Sequence, residues 1–290
     1  MHLPVLLNEV INYLDPQPNE NFIDATCGEG GHSLAILEHN KPQGKVLGIE
    51  TDSVLYQRLK EKKIPRLLLA NDSYINLGKI VTANNFSPIN GILFDLGMCS
   101  WHLDDSGRGF SYLKDEPLDM RFDINNNVTA AEIVNLWPSE DIEKIIKEYG
   151  EERYAKRIAL AIKEARKKER IISTLQLVNI LKRVLPPNYE HHRIHFATRT
   201  FQALRIAVNN ELENLSLGLE EAIKIVSPQG RIVVISFHSL EDRIVKNLFR
   251  KYKEQNILKI LTKKPVTPQK EEKEANLRSR SAKLRAALKI

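Results

Sequence analysis

The apolar positions of this chain follow two different periodicities. Short apolar runs predict strands at NFIDA (21–25), KVLGIE (45–50), RLLLA (66–70) and GILFDLG (91–97); after the turn signal SPQG (227–230), RIVVISF (231–237) is a near-continuous apolar run, as expected of a strand buried on both faces. Between the first four lie segments with helical spacing, such as Leu34 with Leu37 and Leu55 with Leu59. Strands alternating with helices predict a parallel α/β sheet.

The pattern changes between the fourth and fifth strands. Residues 128–185 read as helical throughout, with Thr129, Ser139 and Ser173 as candidate N-caps. Ile142, Ile145, Ile146 and Tyr149 make one helical stripe; Tyr154, Ile158 and Ile162 make another. Pro186 and Pro187 close the region, and Thr198 to Val226 reads as one long helix with Phe201, Leu204, Val208 and Leu212 on one face. The predicted organisation is an α/β domain built from residues 1–104 and 196–290, interrupted by an all-helical insertion at 105–195. The stretch KKPVTPQKEEKEANLRSRS (263–281) reads as a mobile polar loop.

Composition narrows the class. The chain has 290 residues, 42% of them hydrophobic, enough for a sizeable core. Its two cysteines, Cys27 and Cys99, exclude a disulfide scaffold and fit a reducing cytoplasm. MHLPVLLNEV lacks a basic leader and Glu9 interrupts its apolar run, so neither a signal peptide nor a membrane anchor is expected. Residues 241–290 hold 15 Lys and Arg against 6 Asp and Glu, while the rest of the chain is slightly acidic. A basic end on a near-neutral body suits a nucleic-acid binder, and suits a solvated terminal segment equally.

FIDATCGEGGHS (22–33) carries the first candidate chemistry: a strand, a turn with Gly28, Gly30 and Gly31, and a helix opening near His32. Such a turn is common to all dinucleotide-type folds. A diphosphate needs a bare positive helix N-terminus, and Asp24 and Glu29 would repel it. S-adenosylmethionine instead brings a sulfonium and an ammonium, which favour nearby carboxylates, and a carboxylate that the backbone N–H groups of Gly30 and Gly31 can take. Glu29 pointing into water is the plain alternative. Glu50, about 20 residues past the turn, sits where a carboxylate accepts ribose hydroxyls. Asp72 could hold the adenine amino group. Tyr74 could lie on the ring or belong to the core.

FDLGMCSWHLDD (94–105) leaves the fourth strand where open α/β sheets bind ligands. Asp95 would face the cofactor's methyl. An amine conjugated to a base ring is a weak nucleophile, and acceptors for its protons, Asp95 and the Leu96 carbonyl, would localise its lone pair. A cap for the following turn is the simpler reading, though Gly97, Ser100 and His102 crowd the same loop.

These residues resemble a known family. GEGGHS, RGFSY, PLDMR, YGEERYAKRIA, ATRTFQALRIAVNNELE, ISFHSLEDRIVK and RSRSAKLR, in that order, are similar to the RsmH (MraW) methyltransferases. The resemblance implies a Rossmann-like S-adenosylmethionine-dependent methyltransferase sheet with an inserted helical substrate-recognition domain. It implies methylation of the exocyclic N4 of a decoding-site cytosine of bacterial 16S rRNA, with the 30S subunit as partner. A homodimer is allowed by the residues without being read from them. By resemblance Gly30, Gly31 and His32 form the cofactor turn, Glu50 takes the ribose position, Tyr74 the adenine-side aromatic, and Asp95 the fourth-strand acid. His102 stands where the family usually has a cofactor-contacting Gln. The family commonly reads Ser-Ser-Pro-Gln for Cys99-Ser100-Trp101-His102, Asp for Glu50 and Pro for Leu277. A non-catalytic RNA-binding assembly factor retaining the fold is the alternative; NAD-linked oxidoreduction is disfavoured by the acidic turn.

Other stretches supply substrate candidates. RGFSYLKDEPLDMRFD (108–123) joins Arg108, Phe110, Tyr112 and Arg121 with Asp119, a mix that can stack an unpaired base and hold its phosphates, or form a buried hinge. Arg199 and Arg205 could meet phosphates or be helix-surface charges. EHHRIH (190–195) is dense in histidine, but Arg193 would repel a cation and no carboxylate cluster completes a metal site. In ISFHSLEDR (235–243), His238 and Ser239 lie at the carboxyl edge of the sheet, with Ser239 and Asp242 at capping-box spacing.

Overall fold

The computed structural model describes residues 4–189 and 194–290. In chain order the elements are α1 (Leu7–Leu14), β1 (Phe22–Asp24), α2 (Gly31–His39), β2 (Val46–Ile49), α3 (Ser53–Glu61), β3 (Leu67–Ala70), α4 (Leu77–Ala83) and β4 (Gly91–Asp95). Then come α5 (Ser100–Asp104), α6 (Ala130–Leu136), α7 (Ser139–Gly150), α8 (Ala155–Arg166), α9 (Thr174–Val184), α10 (Thr198–Asn209) and α11 (Glu211–Ile225). The chain closes with β5 (Arg231–Ser236), α12 (Ser239–Glu254), β6 (Leu258–Ile260), α13 (Lys270–Ala275) and β7 (Lys283–Lys289). It forms two compact units, Met1–Gly97 with Leu212–Ile290, and Met98–Glu211.

The first unit holds a seven-stranded sheet in the order β3-β2-β1-β4-β5-β7-β6. β1 to β5 are mutually parallel, with Ile23 opposite both Leu47 and Ile92, and Leu93 opposite Val233. Both faces are covered, which explains the unbroken apolar runs. Ile92 and Phe94 enter one core cluster and Leu93 the other; Ile232 and Val234 likewise oppose Val233 and Ile235. Gly48 of β2 has a steric cause: a Cβ there would lie 2.7 Å from Cys27 Sγ. Gly48→Ala is therefore expected to cost about 1–3 kcal/mol by overpacking, read from urea unfolding.

Two strands escaped the sequence reading. β7 runs antiparallel between β5 and β6, with Val234 opposite Arg285 and Ile260 opposite Ala287. Its residues, KLRAALK, are helix formers with charges, and only tertiary pairing makes them a strand. The charge of Arg285 is met by Asp242, with Nε 2.6 Å from Oδ1. The expected mobile loop at 263–281 instead contains α13 and a 3-10 turn at Leu277–Ser281, held by Ser279, which is fully buried and donates to the Asn276 carbonyl at 2.8 Å. The basic end is thus part of the sheet domain rather than a tail.

The second unit is helical. Thr129 with Glu132 and Ser173 with Gln176 form capping boxes at α6 and α9. Ser139, read as a cap, is the first helical residue of α7, and Pro138 holds the N-cap position. Ile133, Ile142, Ile146, Ile158 and Leu177 fill the core together with Phe201, Leu204 and Val208 of α10. The single helix expected from Thr198 to Val226 is broken at Asn210, which turns left-handed at φ 50. The break has a packing reason: Phe201, Leu204 and Val208 belong to the helical unit's core, whereas Leu215 and Leu219 of α11 belong to the sheet's.

Candidate active site

β1 and β4 are neighbours, and the chain leaves them in opposite directions along the sheet, so their carboxyl ends border the fold's ligand crevice. The turn after β1 is braced from within. Asp24 is 1% exposed and accepts from Ser33 Oγ at 2.6 Å and from the Thr26 N–H at 3.3 Å. Burial raises its pKa, against the pull of those hydrogen bonds. Asp24 therefore fixes the turn instead of presenting a carboxylate to the crevice. Gly30 caps α2 at φ 86, and its N–H donates to the Cys27 carbonyl at 2.8 Å. The N–H groups open to an anion are accordingly those of the first turn of α2, from Gly31 and His32 onward, where no side chain caps the helix.

Glu50 follows β2 and is 8% exposed. Its oxygens accept the N–H groups of Gly28 and Asp52 at 2.7 and 2.8 Å. Burial pushes its pKa up to about 7, with the charges of Asp52 and Asp24 adding to burial against the two backbone hydrogen bonds. A carboxylate offers about four acceptor positions, so capacity remains for hydroxyl donors. Asp72 is exposed and organises the adjacent 3-10 turn, accepting from the Ser73 N–H at 2.7 Å and from Asn76 Nδ2 at 2.9 Å. Tyr74 lies edge-on to Phe94, 5.5 Å between centroids, and closely against Gly218. It takes the core position that the sequence left open.

Asp95 ends β4. Its N–H donates to Thr26 Oγ1 at 2.6 Å, and Oδ2 lies 3.4 Å from His32 Nε2. That distance is an ion-pair contact, and Asp95 Oδ1 is buried with no hydrogen-bond partner. Both ring nitrogens of His32 also lack one, and His32 is 6% exposed. Burial pushes the His32 pKa down, but the Asp95 contact and the charges of Asp95, Asp24 and Glu272 outweigh it, so the net shift is upward. One Glu29 oxygen is likewise buried and unpartnered. Folded proteins pair nearly all such atoms. Acceptors left open at a strand-end crevice suit a ligand bearing cationic and N–H or O–H groups.

The whole chain, residues 1–290, matches the MraW methylase family. The chain belongs to that family. Among its relatives are proteins named ribosomal RNA small subunit methyltransferase H. Those of Sulfurihydrogenibium azorense and Persephonella marina are 48% and 46% identical, each aligned over 100% of this chain and 99% of their own length. That of Kosmotoga olearia is 47% identical over 100% of this chain and 97% of its own.

In this MraW methylase chain the remaining candidates divide between the units. Within the sheet unit, His238 is itself the N-cap of α12. Its Nδ1 accepts the Glu241 N–H at 3.4 Å, and Glu241 Oε2 accepts the Phe237 N–H at 2.8 Å. The capping box is therefore His238 with Glu241, one residue ahead of Ser239 with Asp242, because Asp242 is engaged by Arg285. Ser239 opens the helix.

Within the helical unit, His102 is 5% exposed, its Nδ1 3.2 Å from Cys99 Sγ and its ring edge-on to Phe110 and Phe122. Phe110 is 4% exposed and stacks on Phe122 at 5.2 Å, which leaves no open face for a base. Asp119 and Arg121 form a bidentate pair at 2.8 Å that clasps the loop carbonyls of Ile124 and Asn126. Arg108 donates to the carbonyls of Arg121 and Phe122 and lies 5.1 Å from the Trp101 ring. Arg199 donates to the Glu151 carbonyl, and Arg205 is paired with Glu211 at 2.8 Å. Of EHHRIH, residues 190–193 lie outside the described residues. Thr26, Ser33 and Glu241 were missed by the sequence reading; their only signal was a hydroxyl or acid beside a strand end.

Proposed function

We propose that this chain transfers the methyl group of S-adenosylmethionine to the exocyclic N4 of a decoding-site cytosine of bacterial 16S rRNA, on the small ribosomal subunit in the cytoplasm. Its relatives' name, ribosomal RNA small subunit methyltransferase H, supports the substrate class. The observation that carries the chemistry is the unpartnered Asp95 oxygen at the end of β4. No helix among the described residues is long and apolar enough to cross a membrane.

When bound, S-adenosylmethionine would supply an electrophilic methyl on its sulfonium. Glu50 accepts the ribose hydroxyls while its other acceptor positions stay on Gly28 and Asp52. The first-turn amides of α2 take the cofactor's carboxylate, and Glu29 faces its cationic groups. Asp95 Oδ1 would accept an N–H of the target amine, with the Leu96 carbonyl as the second acceptor; as the nitrogen–methyl bond forms, the methyl–sulfur bond breaks, the neutral thioether leaves and the amine proton passes to Asp95. His32, 3.4 Å from Asp95 Oδ2, orients Asp95. The target base has to be unpaired or flipped to reach this edge. The helical unit, with Phe110, Asp119 and Arg121 as scaffold and Arg108 and Arg199 on its loops and helix, serves to recognise the RNA.

The test is incubation with labelled S-adenosylmethionine and small subunits from cells lacking the modification, followed by nuclease digestion and mass spectrometry. N4-methylcytidine is expected. Label on another nucleoside, or none, would overturn the reading and favour a non-catalytic assembly factor.

A further inference from the structure

A second feature of the sheet unit is not used by this chemistry. α12 covers β5, β7 and β6, burying Leu240, Val245, Leu248 and Phe249. On its flank Lys246, Arg250 and Lys253 recur at i, i+4 and i+7, a stripe about 10 Å long. With Lys263, which follows β6, and Arg285 of β7, they line a cavity of about 270 Å³ floored by Phe249, Ile260 and Thr262. No carboxylate lines it. Arg285 is neutralised from behind by Asp242, with Nε and Nη2 at 2.6 and 3.2 Å. Among the described residues, Lys246, Arg250, Lys253 and Lys263 have no ion-pair or hydrogen-bond partner for their side-chain charges, and all four are exposed. Like charges gathered on one concave surface repel one another, and a bound polyanion removes that repulsion.

The geometry points to this cavity as a docking site for the phosphodiester backbone of the RNA substrate, separate from the methyl-transfer crevice; this rests on the RNA reading above. Its charged lining is entirely cationic. The Thr262 oxygen accepts the Ala286 N–H at 3.0 Å, leaving its hydroxyl proton for a phosphate. Phe249 is 2% exposed and cannot offer a ring face to a base. Contacts of this kind hold and orient RNA without reading its sequence. The stripe along α12 is long enough for consecutive phosphates of one strand.

The test compares the full chain with the triple variant Lys246→Gln, Arg250→Gln, Lys253→Gln. A control triple, Lys41→Gln, Lys79→Gln, Lys224→Gln, removes equal charge elsewhere on the same unit. Affinity for a single-stranded rRNA fragment is measured without turnover across a salt series. The cavity variant is expected to lose about tenfold in affinity at low salt and to flatten the log–log salt dependence by about two units, more than the control. KM for the small subunit should rise at unchanged kcat, and S-adenosylmethionine affinity by calorimetry should be unaltered. Equal RNA affinity for variant and wild type, or equal losses in both triples, overturns the proposal. So does a site that binds inorganic phosphate in the wild type alone while RNA affinity is the same in both. If the wild type methylates no RNA, the functional reading fails, and the turnover-free affinities still decide the cavity.

Discussion

Asp95→Asn is expected to lower kcat for methyl transfer by about 10²–10⁴-fold, the range for removing a positioned proton acceptor. The substitution preserves size and leaves the Asp95 N–H on Thr26 Oγ1, so the end of β4 should keep its place. What it removes is the charge 3.4 Å from His32 that, on the proposed reading, also meets the target amine. An amide oxygen still accepts a hydrogen bond but cannot offset positive charge growing on the attacking nitrogen. The His32 pKa should fall with it, since Asp95 contributes most of what raises that pKa against the effect of burial. Single-turnover transfer to small subunits reads the rate, and calorimetry with S-adenosylmethionine reads cofactor binding, which should survive. Turnover near the wild-type level would mean that the amine proton goes elsewhere. His32→Gln gives the complementary result: a smaller loss, because Asp95 keeps its charge and loses only its orienting neighbour.

Strand-end acids were legible in the sequence because a parallel sheet puts every strand's carboxyl end on one edge. Once NFIDA, KVLGIE and GILFDLG read as strands, Asp24, Glu50 and Asp95 had to lie near one another. What the pattern could not show is which of them is already engaged. Asp24 is closed off by Ser33, nine residues away, while Asp95 is fixed through its backbone by Thr26, 69 residues away. Those pairings arise only after the sheet has formed. The same limit hid β7, whose Lys, Arg and Ala favour a helix until β5 and β6 provide a ladder on both sides. It also hid the end of α10: the stripe continues past Asn210, but its members serve different cores. Phe110 and Arg121 looked like an RNA-stacking set because exposed and buried aromatic–arginine clusters have the same composition.

Glu50 should make both stability and cofactor affinity depend on pH, in opposite directions. Folding raises its pKa from 4.5 to about 7, so the folded chain holds this proton more tightly than the unfolded chain. The associated stability is complete below about pH 4.5 and is lost as pH rises toward 7, a loss of about 3 kcal/mol. Asp24 and His32, both also raised, act in the same direction in their own ranges. The ligand-free chain should therefore unfold at lower temperature at pH 8 than at pH 5. Cofactor binding runs the other way, because hydroxyl donors require the ionised carboxylate, and ionisation carries little further cost at pH 8. Between pH 6 and 8 the affinity for S-adenosylmethionine should rise about tenfold, the increase in the ionised fraction of a group titrating near 7. Glu50→Gln should lose about 100-fold in affinity at pH 8, about 3 kcal/mol for two hydrogen bonds to a charged acceptor. The ratio of wild-type to variant affinity cancels any titration of the ligand itself, so calorimetry at both pH values isolates Glu50. That ratio should grow from pH 6 to pH 8; a constant ratio would place the ribose hydroxyls on some other group.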